Sequence, residues 1–141
     1  MTKIEGGCLC GAVRYVATAE PLMTRACWCR LCQFIAAGNA TVNSAFATDT
    51  LSITGDLRDF PSIADSGSHM HRRFCPACGV HLFTVAEERP HITGVRVGTL
   101  DHPENVKPQA IIWTSAAPAW AVLDPNVPHF EKQAPAPAVK K

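Results

Sequence analysis

A mainly β fold of short strands built around cysteine knuckles, with little helix, is what this sequence predicts, and three observations carry the prediction. Runs of a few alternating apolar and polar residues recur along the chain, each too short for a stable helix. Glycine-bearing turn signals separate them, as at Gly55-Asp56 and Ser66-Gly67-Ser68. The 7 cysteines fall in three local groups: Cys8/Cys10, Cys27/Cys29/Cys32 and Cys75/Cys78.

At 141 residues the chain is expected to form a single metal-binding domain over residues 1–132, large enough to bury a core yet small enough to gain from a metal cross-link. A formal net charge of +1, with Lys and Arg scattered among nearly as many acids, provides no broad field for nucleic acid or an anionic membrane. Small molecules are the expected partners, and nothing specifies an oligomer. No apolar h-region opens the chain, and no run approaches the roughly 18 to 20 apolar residues of a membrane span, so a cytoplasmic location is expected. Disulfides are rare in that compartment, and an odd number of thiols leaves one unpaired, so metal ligation is the better account of the cysteines.

Taken in order, Gly6-Gly7-Cys8-Leu9-Cys10-Gly11 is a glycine-flanked Cys-x-Cys, and Ala12–Ala17 alternates as a half-buried strand. Two sulfurs on one zinc lie closer than residues i and i+2 hold them on a flat strand, so the backbone must curl. Gly6, Gly7 and Gly11 are expected to supply the positive φ for it. After Pro21, Arg30–Ala37 reads as a short helix ended by Gly38, with Cys29 and Cys32 about its first turn, where free N–H groups favour thiolates. Strands are expected at 39–42, 51–54, 70–74, 81–85, 92–97 and 110–114, with a loop at Leu100–Pro103. Phe74-Cys75-Pro76-Ala77-Cys78-Gly79 has the form of a zinc knuckle. From Gln133 to Lys141 the Pro/Ala/Lys sequence has no face to bury and reads as a disordered or extended tail.

A closed zinc site takes four thiolates, whereas a reactive one takes three protein ligands and keeps a position open. Seven thiols divide as four plus three in more than one way. Cys8/Cys10 can join Cys75/Cys78 and leave Cys27/Cys29/Cys32 as the open site; alternatively Cys29/Cys32 can join Cys75/Cys78 and strand Cys8, Cys10 and Cys27. Economy favours the first, in which two formed pairs close one site and a local triplet makes the other, but spacing does not choose.

The run Gly7-Cys8-Leu9-Cys10-Gly11-Ala12-Val13-Arg14-Tyr15, the triplet Cys27-x-Cys29-x-x-Cys32, and Phe74-Cys75-x-x-Cys78-Gly79 resemble the glutathione-dependent formaldehyde-activating enzyme family, which includes centromere protein V. Val97–Asp101 and Pro118-Ala119-Trp120 resemble its downstream segments, so the likeness runs from about Gly6 to Phe130. The resemblance implies an Mss4-like or β-tent fold and two zinc ions per chain. One is a structural zinc on Cys8, Cys10, Cys75 and Cys78; the other, on Cys27, Cys29 and Cys32, is the substrate-activating site. It implies a carbon–sulfur lyase, S-(hydroxymethyl)glutathione synthase-like, that promotes reversible addition of glutathione or a similar thiol to formaldehyde or a related carbonyl. The chain departs from the family's pattern at Trp28, where His is usual, and at Ile111-Ile112-Trp113, where the late strand often carries His.

A three-thiolate zinc carries a formal charge of −1, which suits an incoming thiol better than water as the activated ligand. Competing readings are a zinc-stabilised binding module or thiol carrier without catalysis, and a redox-sensing thiol cluster. In the binding-module reading a histidine closes the second site, with His69, His71 and His81 as candidates. Arg72 and Arg73, beside those histidines, either face a substrate's carboxylates or form a wet strand face. Trp28 either roofs the open site or packs on the core, and Trp113 and Trp120 are expected in the core or a pocket wall. His91, His102 and His129 are expected to face solvent.

Overall fold

In a computed structural model, which describes residues 2–135 and 137, the chain forms two antiparallel-rich sheets and one short helix. The strands are β1 (Ile4–Gly7), β2 (Arg14–Ala17), β3 (Met23–Cys27), β4 (Thr41–Ala47), β5 (Leu51–Thr54), β6 (Arg58–Ile63), β7 (His69–Phe74), β8 (His81–Ala86), β9 (Ile92–Arg96) and β10 (Ala110–Ile112), with α1 (Arg30–Ile35) between β3 and β4. The small sheet runs β1-β2-β5 and the large one β10-β3-β4-β9-β8-β7-β6. All pairings are antiparallel except β10 with β3, which sets Ile112 opposite Cys27.

The core lies where alternating residues of the two sheets meet. Val13, Tyr15 and Ala17 project from the small sheet onto Phe46, Phe83 and Val95 of the large one. Tyr15 meets Phe83 edge-on at 5.2 Å between centroids, and its hydroxyl satisfies itself on Thr99 Oγ1 at 2.8 Å, so a buried phenol has its partner. Burial pushes the Tyr15 pKa up to about 12. Because side chains alternate along a strand, the large sheet turns a second face away from this core. On that face Asn43 of β4 sits opposite Arg96 of β9, and Arg72 of β7 opposite Thr84 of β8.

The structure corrects several expectations. β1, β3 and β6 are strands that pattern alone did not mark, and β4 runs on to Ala47. β6 carries Pro61 and is mostly exposed; it is the edge of the large sheet, where a missing N–H is tolerated. Gly6 and Gly7 do not take positive φ. They lie in β1, where a Cβ on Gly6 would stand 2.3 Å from the Tyr15 hydroxyl. Gly11, at φ +82, does make the expected turn. The tail expected at 133–141 is packed at its start: the Trp113 indole N–H donates to Gln133 Oε1 at 3.0 Å, Arg25 donates to Pro135 O, and Ala134 is buried beside Ile112. Hydrogen bonding and a small side chain substitute there for an apolar pattern. The rest of that tail, residues 136 and 138–141, lies outside the described residues.

Candidate metal centres

Cys8 and Cys10 stand in the β1–β2 turn of the small sheet, and Cys75 and Cys78 in the β7–β8 turn of the large one. Their four sulfurs lie within 4.8 Å of one another. Each turn is built alike. The Gly11 N–H donates to Cys8 O at 3.2 Å and the Gly79 N–H to Cys75 O at 2.8 Å, with both glycines at positive φ. Sulfurs about 2.3 Å from one tetrahedral zinc are about 3.8 Å apart. Cys8–Cys10 at 3.6 Å and Cys10–Cys75 at 3.8 Å match that spacing. The Val13 N–H donates to Cys8 Sγ at 3.2 Å, and N–H bonds from Val80 and Cys10 hold the Cys78 thiol down to about 6, while the neighbouring sulfurs push Cys10 up to about 11. Such a cluster fits a closed tetrahedral ion bridging the two sheets.

Cys27, at the end of β3, and Cys29 and Cys32, about the start of α1, form a separate group whose sulfurs also lie within 4.8 Å. All three are buried. Cys29 is the N-cap of α1: its sulfur accepts from the Cys32 N–H at 3.4 Å, while its carbonyl accepts from the Gln33 N–H at 3.0 Å. Gln33 fixes the strand-to-helix corner by donating to Trp28 O at 2.8 Å and Ala116 O at 3.0 Å. Hydrogen bonds from Cys27 and Cys29 lower the pKa of the Cys32 thiol, while the neighbouring sulfurs push Cys27 and Cys29 up, so the negative charge of the metal-free triplet settles on Cys32. No fourth Cys, His, Asp or Glu donor joins the three among the described residues.

The triplet opens on a cavity of about 190 Å³ on the outer face of the large sheet. Met70, Arg72, Thr84 and Arg96 line it from the sheet, and Ile112, Trp113 and Gln133 close its other side. Arg72 and Arg96 are only 4% and 8% exposed. Burial pulls the pKa of Arg96 below its ordinary value, opposed by the charge of the Cys32 thiolate across the cavity. Sequence reasoning missed Arg96 altogether; alternation with Val95 marks it only as facing away from the core.

The other candidates sit elsewhere. His69 bonds Glu88 at 2.9 Å, and His71 bonds both Asp59 and Glu87, on the side of β7 opposite Arg72. His81 stacks on Phe74 at 5.4 Å, and burial, with the charges of Arg96 and Arg72, lowers its pKa. His102 is exposed and bonds Glu104, His91 is exposed, and His129 is exposed with its ring on Asp124 O. Trp28, 3% exposed, does not roof the triplet: it packs with Ala26 and Ile111 on the opposite side of β3 and β10, edge-on to Trp120 at 6.1 Å. Trp113 is a pocket wall, and Trp120 is largely exposed.

Known proteins resemble this chain in two ways. A crystal structure of a Rhodobacter sphaeroides protein, solved as a structural genomics target, superposes with a TM-score of 0.55 over 74% of this chain and 91% of that one. At 23% identity the likeness speaks for the fold. No curated protein matches. The sequence profile of the family described as glutathione-dependent formaldehyde-activating enzyme matches residues 3–116, a span that holds both cysteine groups and both buried arginines, and the chain belongs to that family.

Proposed function

We propose that the chain binds two zinc ions and, at the three-thiol centre, promotes the reversible addition of a thiol such as glutathione to formaldehyde or a related small carbonyl. The observation that carries this reading is the unequal pair of clusters, four sulfurs in one and three in the other, the second opening on a cavity. Cys27, Cys29 and Cys32 would hold the second zinc, which when bound would acidify an incoming thiol. Cys29 and Cys32 are fixed by the first turn of α1, and Ile112, Trp113 and Met70 keep bulk water from the sulfur. In the addition, the thiol S–H breaks, a carbon–sulfur bond forms at the carbonyl carbon, and the carbonyl oxygen ends protonated. The reverse reaction is a carbon–sulfur lyase step.

No imidazole lines the cavity among the described residues, and its carboxylate, Asp65, is exposed at the rim, so protons exchange through water at the mouth. That same feature favours a second reading, a thiol carrier without catalysis, because thiols add to formaldehyde unaided and little barrier is left to lower. One assay separates the two: formation of hydroxymethylglutathione from glutathione and formaldehyde with the zinc-loaded protein. The enzyme reading expects a rate above the spontaneous one that disappears in Cys29→Ser; no excess rate overturns it and leaves the carrier.

A further inference from the structure

Two buried arginines beside the three-thiol centre lack the carboxylates that normally accompany buried guanidinium groups. Arg96 donates through one terminal nitrogen to Asn43 Oδ1 at 2.6 Å, while its Nε is buried with no acceptor. Arg72 donates to Ser62 Oγ. Among the described residues neither forms an ion pair, and a buried charge without a counter-charge costs several kcal/mol. The two share the cavity with Cys27, Cys29 and Cys32. Charge arithmetic then points at the ligand. Three thiolates and a divalent ion sum to −1, the two buried arginines add +2, and Asp65 and Arg89 at the mouth cancel each other, so one positive charge is left over. Only a fourth ligand that is itself an anion brings the pocket to neutrality; water or a neutral donor leaves the excess.

We propose that Arg96 and Arg72 are positioning residues that make the open place of the three-thiol centre selective for an anionic ligand, a thiolate above all, by balancing the charge of a four-sulfur ion. This rests on the reading of that centre as a three-cysteine metal site. The arginines act through space on the fourth ligand: they lower the pH at which an entering thiol gives up its proton and disfavour neutral donors. Asn43 of β4 fixes Arg96 in the cavity: its Oδ1 accepts from Arg96, and its side-chain amide donates to Thr41 Oγ1 at 3.0 Å.

The test uses the full chain loaded with Co²⁺, whose visible spectrum reports the donor set without any turnover. 2-Mercaptoethanol and imidazole are titrated separately, as an anion-forming and a neutral fourth ligand, into wild type, Arg96→Gln, Arg96→Lys and Arg72→Gln. We expect Arg96→Gln to weaken the thiol about tenfold or more, as loss of a nearby unit charge requires, with imidazole changed by no more than about twofold. The pH midpoint of thiol binding rises in parallel, and Arg96→Lys recovers most of the loss. Equal weakening of both ligands, or no change in either, overturns the proposal. A wild-type spectrum that neither ligand alters instead sinks the open-site reading beneath it, and the two failures are therefore distinguishable.

Discussion

Removing the knuckle cysteines together, as Cys75→Ser/Cys78→Ser, should unfold far more of the protein than removing Cys29. The four-thiol cluster ties the β1–β2 turn to the β7–β8 turn, and Cys10 and Cys75 are 65 residues apart in sequence. In the loop-closure picture a cross-link over that length removes about 4 kcal/mol of unfolded-state entropy. The three-thiol cluster spans only residues 27–32, and the same relation gives it about 2 kcal/mol. Cys29→Ser loses less still, since serine is a favoured N-cap and keeps the start of α1. Against a total stability of about 5 to 15 kcal/mol, the first loss threatens the fold and the second does not. Urea unfolding at fixed free zinc reads the difference. With a slope of about 2 kcal/mol per molar, the knuckle variant drops its midpoint by about 2 M and Cys29→Ser by about 1 M or less. Equal shifts would refute the idea that one centre holds the sheets together and the other is spare.

Trp28 and His71, which both face away from the three-thiol cavity, carry two further predictions. Trp28→His places the family's usual residue in this chain, yet the ring faces Ile111 and Trp120, so it should leave thiol binding unchanged while costing roughly 2 to 4 kcal/mol of packing; a gain in thiol affinity would contradict the orientation. The His71 ring, bonded to Asp59 and then Glu87, should titrate above the ordinary histidine value. Its stabilisation is therefore complete below about pH 6.5 and lost as pH rises through the raised value, a sign that an NMR titration of the ring checks; titration at or below the ordinary value would count against these bonds.

The cysteine spacing carried most of what was readable in the sequence. Glycine-flanked pairs and a tight triplet have few uses besides metal, and economy of pairing already favoured the grouping of sulfurs that the fold brings together. Strands with clean alternation, such as β2 and β9, were legible because burial on one face writes period two. β3 was hidden because its end is the triplet itself, and β6 because Pro61 and exposure on both faces erase the pattern. Gly6 misled in another way, since a glycine required by the nearby Tyr15 hydroxyl looks, in sequence, like one required by a turn. Arg72 and Arg96 were the least legible of all. An arginine alternating with core residues signals a wet face, and only the packing of Trp113 and Gln133 over that face turns it into a pocket. Of the two places the sequence left open for Trp28 it takes the core, because residues next to a ligand in sequence project to the other side of the strand.

The account stands most directly on the ligands of two metal ions, and anomalous scattering at the zinc edge from crystals grown with zinc reads them. Two peaks are predicted per chain: one surrounded by Cys8, Cys10, Cys75 and Cys78, the other by Cys27, Cys29 and Cys32 with a water or an exogenous thiol in the fourth place. A single peak at the four-cysteine cluster, or a second zinc closed by a fourth side chain of the protein, would contradict it.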